Sequence, residues 1–271
     1  MHLFYSLLHP IVRKAMSLGR KTPLLVEGKV PAEQPLIFVA NHFCIHDIPA
    51  VGETIRRQAY VLVADEDRPT LDGFLLSLNG VVWINRRDRA GRSRAREKLL
   101  GHLAVGHSIL VFPEATWNLT PNLPMLPMRY GVIDIANTAG VAIVPVTTRF
   151  TGDAWHVRIG ERFVPTADKA ASIGQLRDVM AASLYAQMEQ APRCLRSDIL
   201  NGYSAEYIKS RYDLYARARK KQRSFRKYES QFIFRPRGVV DNAEAFAHLS
   251  GVPCNMRTAF LWNARLTGHW A

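Results

Sequence analysis

The stretch "LIFVANHFCIHDIPAVGETIRR", residues 36–57, decides the fold. It opens on an apolar run of strand length, passes through a polar turn and continues into a segment of helical character. His42, His46 and Asp47 stand at that hand-over. On one continuous helix His42 and Asp47 would point about 140° apart. They can meet only if His42 lies in the loop after the strand and Asp47 opens the helix. Asp47 precedes "IPAVGETIRR" with Pro49 in the first turn, so Asp47 is expected as the N-cap. Two readings follow: a polar loop with a helix cap, or a catalytic base with its orienting carboxylate. A metal cluster of His42, His46 and Asp47 is the weaker option, since no HExxH or cysteine pair accompanies it. Cys44, between Phe43 and Ile45, reads as a buried thiol rather than a nucleophile.

The same alternation runs outward in both directions. Short β-rich runs, "LLVEG", "LIFVAN", "YVLVAD", "GVVWIN", "SILVFPE", "VAIVPVTTRF" and "AWHVRIGERF", occupy residues 24–164. Helical segments are expected at about 48–57, 70–78, 90–105, 130–139 and 172–190. Near-continuous apolar strands separated by helices predict an α/β fold, with a mixed, mostly parallel central sheet covered by helices. The division expected is an N-terminal amphipathic helix over 1–23, a main domain over 24–200 and a basic, helical C-terminal extension over 201–271. Leu3, Phe4, Leu7, Leu8, Ile11, Val12, Ala15 and Met16 recur at helical spacing, ahead of Arg20 and Lys21. That helix, kinked at Pro10, either packs on its own domain or lies on a membrane surface.

Composition narrows the partners. The chain has 271 residues, 48% hydrophobic and 22% charged, which excludes extended disorder. The net charge of +13 favours anionic partners: nucleic acid, anionic headgroups, or phosphorylated and CoA-like substrates. Three cysteines without a CxxC pattern fit a reducing compartment. No run approaches the ~18 apolar residues of a spanning helix, and no signal-peptide design opens the chain. A nucleic-acid-binding protein is the rival class, but the "ARARKKQRSFRK" run comes with no recognisable reading module, so no nucleic acid is expected.

Three further segments carry chemistry. "GVVWINRR" (80–87) ends a strand on Arg86, "VFPEATWN" (111–118) ends one on Glu114, and "VAIVPV" (141–146) carries a proline inside a strand. Ligands bind at the carboxyl ends of strands in open α/β sheets, so His42, Asp47, Arg86 and Glu114 should converge on one crevice. The order NHxxxxD, a Gly-started strand ending in Arg, FPE-x-T and a V-P strand resembles the glycerolipid acyltransferase family, which includes 1-acyl-sn-glycerol-3-phosphate acyltransferases. Asn41, His42 and Asp47 match the first block, Gly80 and Arg86 the second. Phe112, Pro113, Glu114 and Thr116 match the third, and Val144, Pro145 and Val146 the fourth. "RIGERFVP" (158–165) also resembles a strand of that family. The third block departs from the usual FPEGTR: Ala115 replaces a glycine, and Trp117 stands where an arginine would help hold the acceptor phosphate.

The resemblance implies transfer of a fatty acyl group from acyl-CoA or acyl-carrier protein to the hydroxyl of a lysophospholipid. The acceptor expected first is 1-acyl-sn-glycerol-3-phosphate; another lysolipid or polar acceptor is the alternative. It implies His42 as general base, Asp47 as its orienting partner, and Arg86, Glu114, Thr116 and Arg129 toward the acceptor. Arg129 stands near a position where the family often carries a basic residue. Glu114 is expected to orient the acceptor or support the site. Backbone N–H groups near 113–116 are expected to stabilise the oxyanion. No metal and no cofactor are implied. The expected location is peripheral, on the cytoplasmic face of an anionic membrane.

Overall fold

A computed structural model describes residues 10–11, 22–42, 46–65, 71–86, 88–115, 124–150 and 154–190. Most of the expected amphipathic helix and all of the C-terminal extension lie outside these residues, as do Arg87, Thr116 and Trp117. Pro10 and Ile11 are helical and exposed.

Seven strands build one sheet: β1 (Leu24–Glu27), β2 (Ile37–Ala40), β3 (Ala59–Ala64), β4 (Val81–Ile84), β5 (Ser108–Val111), β6 (Ile143–Phe150) and β7 (Trp155–Ile159). Five helices accompany them: α1 (Asp47–Ile55), α2 (Leu71–Asn79), α3 (Arg89–Ala104), α4 (Gly131–Ala139) and α5 (Lys169–Gln190). Each falls on a segment that the pattern of apolar residues marks out. The sheet order is β1-β7-β6-β2-β5-β3-β4. Strands β6, β2, β5, β3 and β4 run parallel, whereas β7 is antiparallel to β6 and carries β1 parallel beside it.

Strand β2 lies in the middle and is buried on both faces. Phe38 and Ala40 join the core under α1, with Ile48, Val51 and Ile55. Ile37 and Val39 join the opposite core under α3, α4 and α5, with Leu99, Ile133, Leu176 and Met180. This two-sided burial is why the strand sequences are nearly continuous in apolar residues rather than alternating. Among the described residues no helix is long and apolar enough to cross a membrane.

Proline inside a sheet normally removes a ladder bond. Pro145 of β6 instead accepts a hydrogen bond at its carbonyl from the Gly160 N–H, 2.8 Å away, just past the Val146↔Ile159 pair that ends the β6–β7 ladder. A Cβ on Gly160 would fall 2.8 Å from the proline Cγ, so glycine is required there.

Candidate active site

Strand β2 ends at Ala40, and the chain passes through Asn41 and His42 before α1 begins at Asp47. The expected N-cap is displaced by one position. His46 is the cap residue, exposed and with no side-chain cap hydrogen bond, while Asp47 is the first helical residue. The Asp47 carboxylate points to the site instead of its own helix. Its Oδ2 lies 3.0 Å from His42 Nδ1, and its Oδ1 lies 3.4 Å from the Thr148 hydroxyl of β6. Asp47 is fully buried, and the His42 side chain is 15% exposed. The imidazole is thus partly open to solvent while its partner is sealed. The His42 ring also packs on Phe112, with centroids 4.5 Å apart.

Glu114 closes the other side. It follows β5, the parallel neighbour of β2, and is 1% exposed. One carboxylate oxygen accepts the His42 backbone N–H at 2.7 Å. The other accepts the Leu126 N–H at 2.6 Å. Two charge-assisted bonds of this length compensate a buried carboxylate. They also tie the base's own main chain to the segment ahead of α4. The Arg129 N–H donates to the Pro113 carbonyl at 3.0 Å, which anchors the same segment again, and the Arg129 side chain is exposed.

Arg86, two residues past β4, donates from Nη1 to the Ala115 carbonyl, so it does reach the turn after β5. Ala115 holds a φ of +60°, in the left-handed region where a Cβ is unfavourable. That conformation accounts for the glycine usual at this position of the resembled motif. The oxyanion donors expected at 113–116 are reduced by the geometry. Pro113 has no N–H, and the Ala115 N–H donates to the Phe112 carbonyl at 3.0 Å. Among the described residues, no three His, Cys, Asp or Glu side chains gather as a metal site requires.

Strand-end placement thus joins the His42 ring to Asp47 and the His42 N–H to Glu114, while Arg86 reaches the adjoining turn at Ala115. Two residues near the pair were not singled out for a role, Thr148 and Asn41. The Asn41 side chain donates to the Thr148 carbonyl at 3.0 Å and accepts its N–H at 2.7 Å. Adjacent threonines after the apolar run of β6, "VTT", were the available signal for Thr148.

Fold and site together define an α/β protein with a histidine–carboxylate pair at the carboxyl ends of parallel strands. Residues 24–149 match the family model described as Acyltransferase. This segment is similar in sequence to members of the glycerolipid acyltransferase family. It is 31% identical over 126 residues to a 1-acyl-sn-glycerol-3-phosphate acyltransferase of Chlamydomonas reinhardtii, covering 46% of this chain and 37% of that protein. It is 33% identical over 130 residues to the lyso-ornithine lipid O-acyltransferase of Pseudomonas aeruginosa, covering 47% and 48%. The match thus spans less than half the length of each of these curated relatives. The crystal structure of the 1-acyl-sn-glycerophosphate acyltransferase PlsC from Thermotoga maritima shares the fold. Its TM-score is 0.57 at 19% identity, over 70% of this chain and 81% of that one.

Proposed function

We propose that the protein is an O-acyltransferase that moves a fatty acyl group from a thioester, acyl-CoA or acyl-carrier protein, to the hydroxyl of a lysophospholipid. The acceptor favoured is 1-acyl-sn-glycerol-3-phosphate. One observation carries the reading: His42 Nδ1 stands 3.0 Å from a fully buried Asp47, inside the segment that matches the acyltransferase family.

An alcohol is a poor nucleophile at neutral pH, so a positioned imidazole must accept its proton as the attack proceeds. Asp47 holds Nδ1 and stabilises the imidazolium, which assigns Nε2 to the acceptor hydroxyl. The acceptor oxygen bonds to the thioester carbonyl carbon. The tetrahedral intermediate then collapses, the C–S bond breaks, and the imidazolium proton goes to the departing thiolate. The substrate hydroxyl takes the place a serine holds in a triad, so no acyl-enzyme is formed. Arg86 offers the acceptor phosphate a charge-assisted contact beside the Glu114 turn, with Arg129 and Thr116 as further groups on the acceptor side. Glu114 supports the site from behind.

A second reading of the acceptor is favoured by two observations: Trp117 in place of the usual arginine, and the similarity to a lyso-ornithine lipid acyltransferase. An ornithine headgroup presents a carboxylate and an amine in place of a phosphate, and so carries less negative charge for an arginine to meet. The catalytic unit is taken as residues 24–200. The N-terminal amphipathic segment and the basic C-terminal extension would bring it to the cytoplasmic face of an anionic membrane.

The test is direct. Purified protein is incubated with labelled acyl-CoA or acyl-carrier protein and a panel of lysolipids, lysophosphatidic acid and lyso-ornithine lipid among them. Products are identified by mass spectrometry. Labelled phosphatidic acid supports the first reading, labelled ornithine lipid the second, and no lipid product with either donor overturns both.

A further inference from the structure

A fully buried carboxylate needs a hydrogen-bonding partner at each oxygen. For Asp47, His42 lies at Oδ2, and the Thr148 hydroxyl lies 3.4 Å from Oδ1. Thr148 is itself 1% exposed and lies 101 positions further along the chain. None of the four sequence blocks that mark the family contains it. We propose that Thr148 is a positioning residue for the His42–Asp47 pair, held in register by Asn41; the proposal rests on the acyl-transfer reading above.

The register argument comes from the sheet. The last β2–β6 pair is Ala40↔Val146. Beyond it, the Asn41 side-chain amide takes the place of the next backbone pair by bonding both the N–H and the C=O of Thr148. This fixes the Thr148 main chain against the end of β2, one residue before His42. Residues two apart on a strand share a face, and Val146 lies in the core beneath α1. The Thr148 hydroxyl is accordingly directed at the first turn of α1, where Asp47 stands. By donating to Oδ1 it leaves Oδ2 aimed at Nδ1–H, which keeps the proton on Nδ1 and the ring in one orientation. At 3.4 Å the contact is long for an O–H···O bond, so its effect on turnover is moderate.

Thr148→Val keeps the volume and removes the donor, and Thr148→Ser keeps the donor and removes a methyl. Both are assayed beside His42→Ala on the best acceptor of the panel, with thermal unfolding as the check on folding. T148V is expected to lower kcat roughly fivefold to tenfold while both KM values stay within about twofold. The acid limb of its kcat–pH profile moves upward, because loss of the hydroxyl dipole strengthens the carboxylate's field on the imidazole. T148S restores both. Parental kcat and an unmoved acid limb in T148V overturn the proposal, as does a T148S variant as impaired as T148V. If T148V does not fold, Thr148→Ala against T148S decides by the same readouts. A His42→Ala variant that keeps its turnover overturns the general-base reading itself. An inactive H42A beside a parental T148V leaves that reading standing and removes Thr148 from it.

Discussion

The carboxylates at the strand ends and the carboxylate on the helical surface differ in burial and in the partners described for them. Asp47 and Glu114 are buried, and their described partners are an imidazole, a hydroxyl and backbone N–H groups. Asp134 of α4 is partly exposed and bridges Arg96 of α3 and Lys169 of α5. Neutral dipoles hold a buried carboxylate in place and weaken its field less than a full cation would. At Asp134 cations from two neighbouring helices tie the layer together at modest gain. The Lys169 hydrogen bond, then the Arg96 one, hold the Asp134 carboxyl below its ordinary value.

The largest effect expected is at the base. His42→Ala should lower turnover by about 10²–10⁴-fold, the range for loss of a general base, with thermal unfolding near that of the parent. His46→Ala should keep most of its activity, because His46 stands exposed at the helix start. If the two variants proved equally inactive, the roles of the strand-end residues would need reassignment to a shared cluster.

Next comes Glu114→Gln. An amide has one accepting oxygen, so one of the two backbone N–H groups now faces an NH₂ donor. The cost expected is about 1–3 kcal/mol of stability, the penalty of an unsatisfied buried donor, read by denaturant unfolding. A thermally unchanged E114Q would show that the turn is held by its other bonds, among them Arg129 N–H to Pro113 O.

Ala115→Gly tests the same turn in the opposite direction. Relief of a φ of +60° should stabilise the fold by about 0.5–1 kcal/mol, after glycine's own entropic cost. A higher denaturation midpoint is the expected result, and a lower one would mean that the left-handed conformation carries no strain.

The smallest effect belongs to the surface. Asp134→Asn should cost about a few tenths of a kcal/mol at pH 7, since its partners are largely solvated. Because the folded pKa lies below the unfolded one, that contribution is complete above about pH 4 and fades as the pH falls through the folded value. Parent and D134N should therefore converge in acid. An offset that persists in acid would point to packing of α4 instead of charge.

The seven strands, the five helices and the meeting of His42 with Asp47 were legible in the residues alone. Each depends on local information: strand-length apolar runs, helical spacing, and a loop–helix junction that brings groups five positions apart together. Arg86 and Glu114 were legible through motif order and the strand-end rule. The tertiary structure alone decided the sheet order, the reversal of β7, and what the buried groups touch. Glu114 reaches the His42 main chain across 72 positions, and Thr148 reaches Asp47 across 101. No periodicity encodes contacts at such separations, because they follow from which strands become neighbours and in what register. Even the N-cap was settled this way. A local rule placed Asp47 as the cap, and the stronger demand of a buried imidazole partner turned its carboxylate inward.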